Sequence, residues 1–343
     1  MKILCIGEEW RGSNASGLFY AISRIGCQVQ IVNELKFVNT AGSAFLTKGV
    51  NYLIRPLQIA DFNQQLIAAA KYFKPQVILV YKGAFVEPET IMQWKRDGIL
   101  TVNFFPDVSF LAHGKRIPSC VPLYDHIFST KTFAAADLKK NFGILQEKVT
   151  FIPHGFDPLV HRKMRQVMEE FQCDVSFIGN YSPHKAEYLA TLKSKYPDTL
   201  QIWGGTWKRL RGRELNNTIK GIAISGDLYA SAINSSSVNL ALLSEKVLGA
   251  SSGDQITSRS FHIPGAGGFM LHERTDEIAL YFVEGEEMGC FSGAEEMLDK
   301  LQYYLKHENE RRKIQEKGHQ RALRDHSLDE RAGRVLRILN SKL

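Results

Sequence analysis

The chain has 343 residues, more than one ordinary hydrophobic core serves, so two domains are expected. Its 44% hydrophobic and 23% charged content excludes a disordered or low-complexity chain, and no apolar run reaches the length of a membrane span. A formal net charge of +7 is compatible with nucleic acid, an anionic surface or a phosphate-bearing ligand, and selects none of them.

The first half alternates short apolar runs with helical patterns. Lys2–Gly7 (KILCIG) predicts a first strand; its apolar run is too short for a signal peptide and is followed by acids. The loop EEWRGSNASG leads to a helix over Leu18–Ile25, then a strand at Val29–Val32. Asn63–Phe73 predicts a helix ending before Pro75, Val77–Tyr81 (VILVY) a buried strand, and Pro88–Arg96 a helix with proline near its start. Leu100–Phe104 and His126–Ser129 are further strands. Continuously apolar strands between helices mean a parallel sheet covered on both faces, a doubly wound unit.

The pattern restarts after the turn-rich segment VTFIPHGFDPLVHRK, which places a linker near residues 155–170 and makes His154 a structural residue there. Asp174–Ile178 (DVSFI), Leu200–Trp203, Ile222–Ile224, Val238–Leu243 and Phe269–Leu271 predict strands. A helix runs over about Asp227–Asn234, and residues 294–305 carry an apolar helical stripe. A last helix is expected from about Leu328 to Leu339. Two such sheets leave a cleft faced by the C-terminal strand ends.

Cys5, Cys27, Cys120, Cys173 and Cys290 are scattered and never spaced as CxxC, which argues against a disulfide framework or structural zinc and fits a reducing cytoplasm. No finger spacing or aromatic RNA platform is present, so no nucleic-acid partner is expected. The basic run Lys208–Arg213 reads first as a solvated surface loop and second as a contact for an anionic acceptor or a peripheral membrane surface.

Three stretches can carry chemistry. GNYSPHK, residues 179–185, joins a strand to a helix, where backbone N–H groups favour an anion and Lys185 adds a full charge. A plain βα loop with an exposed lysine is the competing reading. In GDLYASAINSSSVNLALL, Tyr229 stacks on a base, bonds a phosphate, or only packs the core. In TSRSFHIPGAGGFML, residues 257–271, Arg259 enters a short helix against the dipole preference, which a phosphate at Thr257, Ser258 and Arg259 would explain; a surface salt bridge is the alternative. Neither GxGxxG nor a Walker sequence occurs.

The succession VTFIPHGFDPLVH, DVSFIGN, LQIWG, LYASAINSSSVNLALL, SRSFHIPGAGGFML, LYFVEGEEMGCFSGAEEMLDKLQYYL and ERRKIQEKGHQRA resembles the glycosyltransferases related to the spore-maturation protein CgeB, cousins of the family-four retaining enzymes. The resemblance is strongest over about residues 150–335. It implies an α/β chain of GT-B type, two Rossmann-like doubly wound domains facing a central cleft. Residues 1–160 would be the acceptor domain, 161–325 the nucleotide-sugar donor domain, and 326–343 a helix packing back on the first.

The resemblance also implies roles. Gly179 and Lys185 fall where relatives hold the donor diphosphate with a Gly-Arg loop and a lysine; here Asn180 replaces the arginine, with His184 or Arg259 as substitutes. His262 falls where relatives place a ribose-binding glutamate, and Asp254, eight residues earlier, where an acid sits near the sugar. Histidine can still hydrogen-bond a hydroxyl. Asp107, in TVNFFPD, falls where a polar residue lies near the reacting carbon, with His113 behind it; an Asx turn after Pro106 is the bland alternative. Trp10, Arg11, Gly12 and Ser13 match the acceptor-side loop.

The expected activity is therefore transfer of a sugar from a UDP-, GDP- or dTDP-linked donor to a glycan, lipid-linked, protein or small-molecule acceptor. It is expected to be retaining, cytoplasmic or at the inner membrane face, and to use no metal or other cofactor. A nucleotide-sugar epimerase of the same architecture and a catalytically inactive binding protein are the rivals, with an unrelated Rossmann-like enzyme third.

Overall fold

The computed structural model describes the backbone of residues 1–38, 45–166, 168–196, 198–210, 215, 218–244 and 247–343, and within these every side chain except those of 45–52 and 208–210. The basic run Lys208–Arg213 thus lies outside the described side chains. The chain divides into two compact units. The first comprises Met1–Pro153, Lys246–Ser252 and Arg331–Leu343, the second His154–Glu245 and Gly253–Glu330.

The first unit carries strands β1 (Lys2–Gly7), β2 (Gln28–Asn33), β3 (Val77–Tyr81), β4 (Leu100–Phe105), β5 (His126–Ser129) and β6 (Val149–Phe151). They form one parallel sheet in the order β2-β1-β3-β4-β5-β6. Helices α1 (Asn14–Arg24), α2 (Phe45–Phe73), α3 (Pro88–Arg96), α4 (Arg116–Cys120) and α5 (Ala134–Phe142) connect them. Every residue of β3 is buried, as a strand covered on both faces requires. The helices supply the other half of the core, with Phe62, Ile91 and Trp94 fully or almost fully enclosed. Ser13 starts α1 by accepting the N–H groups of Ala15 (3.2 Å) and Ser16 (3.5 Å).

The first unit also takes in Lys246–Ser252, far along the chain. Ser251 donates its N–H to Asp137 Oδ2 (2.9 Å), and Asn141 Nδ2 donates to the Gly249 carbonyl (3.3 Å). Gly249 has φ +76°, and a side chain there would run into Leu111, so two constraints demand glycine. Nothing in the residue pattern marks this excursion.

The second unit has β7 (Cys173–Ile178), β8 (Leu200–Trp203), β9 (Ser236–Ala241), β10 (Met270–Glu273) and β11 (Gly289–Phe291), parallel in the order β11-β10-β9-β7-β8. Helices α6 (Pro183–Lys195), α7 (Gly226–Asn234), α8 (Arg259–Gly265), α9 (Gly293–Lys306) and α10 (Glu308–Asp325) surround it, and α11 (Leu328–Asn340) closes the chain. Phe177, Trp207, Phe269, Phe291 and Leu301 form its core.

This is the two-Rossmann-domain arrangement expected, with local corrections. Ile222–Ile224 forms no strand: Ile222 is 52% exposed, and Gly221 (φ +72°) and Gly226 (φ +59°) turn the chain on either side. The neighbour of β8 is instead the single bridge Ile202–Ile219. The stretch 155–166 is no open linker, because Phe156 is fully buried and exchanges backbone hydrogen bonds with His326 (3.2 Å) and Leu328 (2.8 Å). Strand β9 ends at Ala241, two residues early, which frees Leu242 and Leu243 for the site below.

Candidate functional site

In the second unit, β7 delivers the chain to Gly179 and Asn180, and Ser182 caps α6 by accepting the Lys185 N–H. Gly179 is locked by its N–H to the Trp203 carbonyl (2.9 Å) and by the Trp207 indole N–H to its own carbonyl (2.7 Å). A Cβ on Gly179 would lie 2.6 Å from Arg259 Nη1. A side chain there would have to displace the guanidinium, which fills the space.

Arg259 opens α8. Its guanidinium lies 5.2 Å over the Phe177 ring and donates through Nη2 to the Leu242 carbonyl (2.6 Å). Burial pulls its pKa down, while the charges of Tyr229, Asp254 and Glu273 push back. Lys185, only 4% exposed, donates to the Asn180 carbonyl (3.4 Å) and to Ser244 Oγ (3.2 Å). His184 Nε2 pairs with Glu273 Oε2 at 2.7 Å, and the other oxygen of Glu273 accepts the Leu243 N–H. Three consecutive residues past β9, Leu242, Leu243 and Ser244, thus receive Arg259, Glu273 and Lys185. That tripeptide gathers two cations and an acid beyond the C-terminal strand ends, where open α/β sheets bind ligands.

His262, one turn along α8, is stacked on His161 (ring centroids 3.8 Å, 18°) and meets Tyr229 edge-on at 5.8 Å. Burial, with the neighbouring histidines, holds its pKa well below the ordinary value, so the ring is neutral. His161 is pushed down to about 3 by burial and accepts the Asp157 N–H on Nδ1 (3.1 Å). Thr257 Oγ1, Arg259 Nε and His262 Nε2 are all buried without a hydrogen-bond partner. Each such orphan costs about 1–3 kcal/mol when left unsatisfied, and these three lie within six residues of one another.

The structure therefore brings together Gly179, Lys185, Tyr229, Thr257, Arg259 and His262, with Ser258 as the N-cap position of α8 and Asp254 close enough for its charge to act on Arg259. Asn180 is exposed and uses its side chain on Thr206 Oγ1 (3.5 Å), while His184 is committed to Glu273. Asp107 and His113 belong to the first unit. There Asp107 contacts Lys82 Nζ (2.8 Å) and His113 Nε2 (2.9 Å). Burial would raise the Asp107 carboxyl, but His113 and Lys82 outweigh it and hold it well below the usual carboxylate range. In the loop after β1, Trp10 is exposed and donates its indole N–H to Glu8 (3.0 Å), Arg11 is exposed, Gly12 has φ +96°, and Ser13 is spent on the helix cap.

Glu273 and His161 were not singled out from the sequence. An acid ending the strand MLHE was a usable signal for Glu273; the partner of His161 lies 101 residues away (262 − 161), and no local pattern announces it. Among the described residues, no group of three or more His, Cys, Asp or Glu is placed to hold a metal ion, and no helix is long and apolar enough to cross a membrane.

The glycosyl transferase-like family model matches residues 185–337. No curated protein matches the chain in sequence. Its fold is shared with sucrose-phosphate synthase from Thermosynechococcus elongatus (TM-score 0.68, 11% identity, 100% of both chains covered). Anabaena HepE in complex with UDP-glucose is also similar (TM-score 0.64, 13% identity, 99% of this chain and 100% of that one). So is a UDP-N-acetylglucosamine 2-epimerase (TM-score 0.53, 10% identity, 98% and 94%). These likenesses make the fold GT-B.

Proposed function

We propose that the protein is a glycosyltransferase, akin to the CgeB-like enzymes, that takes a sugar from a nucleoside-diphosphate donor bound in the second unit. The observation that carries this reading is the segment Thr257–His262, buried except at Ser258 and Arg259, with three orphaned polar atoms beside the Arg259 and Lys185 cations. The family match over 185–337 and the similar structures solved with UDP or UDP-glucose support it.

In this reading Arg259 and Lys185 hold the diphosphate. As the sugar C1–O bond breaks, charge grows on the departing phosphate and these cations stabilise it without a metal ion. Neutral His262 offers Nε2 to a ribose hydroxyl. The leaving phosphate takes the acceptor proton on the same face, which gives retention. Asp107 with His113 lies on the acceptor unit. The nucleobase, the sugar and the acceptor are left open by this geometry.

The test is a panel of UDP-, GDP- and dTDP-sugars followed by mass for free nucleotide, hydrolysed sugar and epimerised donor. Nucleotide release stimulated by an acceptor supports transfer. Epimerised donor without release would make the protein an epimerase, the second reading that the shared fold with a 2-epimerase keeps in view. Nucleotide binding without turnover would make it a binding protein.

A further inference from the structure

The sheet of the first unit reverses its winding between β1 and β3: β2 lies to one side of β1, and β3 to β6 follow on the other. The connections leaving two such strands diverge, which opens a crevice beyond their C-terminal ends. Glu8 and Glu9 follow β1 there, Lys82 and Gly83 follow β3, and Glu34 follows β2 directly.

Lys82 is a non-glycine residue in the left-handed region, φ +62°. It is held so by its N–H to the Phe104 carbonyl (2.8 Å) and by Asn103 Nδ2 on its own carbonyl (3.3 Å). Such backbone strain clusters at working sites. Its ammonium contacts Asp107, so that charge is already matched.

Glu34 has no such match. It is 5% exposed, and its Oε2 has no hydrogen-bond partner. Burial and then the charge of Glu8 push its carboxyl up to about 7, and Lys82 opposes them from a distance. Glu8 accepts the Trp10 indole N–H, and Glu9 accepts the Tyr20 hydroxyl (2.9 Å). Glu8, Glu9 and Glu34 thus stand at the C-terminal ends of β1 and β2, with Glu8 close enough for its charge to act on Glu34, an acidic group in a chain of net charge +7. An under-neutralised buried carboxyl with a free acceptor atom favours a cation that also donates hydrogen bonds.

We propose that this crevice receives a protonated primary amine on the acceptor, held by Glu34 and Glu8. The inference rests on the transferase reading for the word acceptor, and it deepens that reading by naming the acceptor's chemistry. A bare metal ion is the less favoured occupant, since no three-ligand group of His, Cys, Asp or Glu stands among the described residues.

Glucosamine and glucose are the probes, titrated by calorimetry with and without UDP. Glucosamine should bind at least about tenfold more tightly than glucose, the scale of one charge-assisted contact. Glu34→Gln, which keeps the shape and removes the charge, should reduce that preference to within about twofold while the UDP affinity is unchanged. Equal binding of the two sugars, or a preference that survives Glu34→Gln, overturns the proposal. So does a magnesium titration in which the ion alone binds and abolishes the preference. Should Glu34→Gln not fold, Glu8→Gln is expected to show the same loss. Failure of UDP to bind the wild-type protein would instead sink the donor reading, because the two sugars are compared without UDP as well.

Discussion

The guanidinium of Arg259 occupies the space that a side chain on Gly179 would need, with Nη1 2.6 Å from the position of a Cβ there. Two loops 80 positions apart (259 − 179) are thereby made interdependent. Gly179→Ala should displace the guanidinium, a flexible group, rather than unfold the unit. The expected result is a UDP affinity about tenfold weaker with a near-native melting temperature, since one charged contact is displaced. Calorimetric titration of UDP checks it, and an unchanged affinity would detach Arg259 from the diphosphate.

Lys185→Met and Arg259→Met should each weaken UDP binding by about ten- to a hundredfold, the loss of one charge-assisted hydrogen-bonding partner. Uridine carries no diphosphate, so its weaker binding should hardly move. Equal losses for UDP and uridine would show general damage to the pocket rather than removal of a phosphate contact.

The proposed ribose contact of His262 rests on its buried, unpartnered Nε2. His262→Leu should reduce discrimination between UDP and 2′-deoxy-UDP to about twofold, while His262→Gln, which keeps a polar head, should retain most of it. Discrimination that survives the leucine variant would move the ribose elsewhere.

The buried histidines set an acid limit on stability. Burial lowers His161 to about 3 and His272 to about 4, against about 6.5 in an unfolded chain. Their folded values are depressed, so the unfolded state takes up protons first. Stability is full above about pH 6.5 and falls as pH drops toward the folded values, by about 1.4 kcal/mol per pH unit for each ring. Urea titrations between pH 7 and 4.5 should show this slope, and His161→Asn should lower it by about one proton's worth.

Asp107 is also depressed, by His113 and Lys82 acting against burial. Its contribution is present above the ordinary carboxylate range and is lost as pH falls below about 4. The side chain is a third exposed, so after solvent screening Asp107→Asn should cost about 1 kcal/mol. Denaturation of the variant at pH 7 and pH 3 tests it: the difference from wild type should shrink at pH 3.

Much of the architecture was legible because buried parallel strands must be apolar along their length. VILVY at Val77–Tyr81 and DVSFI at Asp174–Ile178 announce themselves, and Pro88 marks the helix start after the first of them. IAI at Ile222–Ile224 has the same composition and is no strand, since the three-residue run lies between glycines that turn the chain and Ile222 is half exposed. The site was legible in part. Lys185 and Arg259 follow from charges placed at strand-to-helix junctions, but Glu273 and His161 needed their partners to be brought up from elsewhere in the chain.

Periodicity and composition by themselves determined two doubly wound sheets, the strand-to-helix loops between them and the cations on those loops, because these depend on neighbours within a few residues. Only the tertiary structure decided that Arg259 lies against Gly179, that His262 stacks on His161, that Leu242–Ser244 joins Arg259, Glu273 and Lys185, and that Lys246–Ser252 belongs with the first unit. Those contacts span tens to more than a hundred residues. They arise from strand order and from where β9 stops, which side-chain patterns along one strand do not encode.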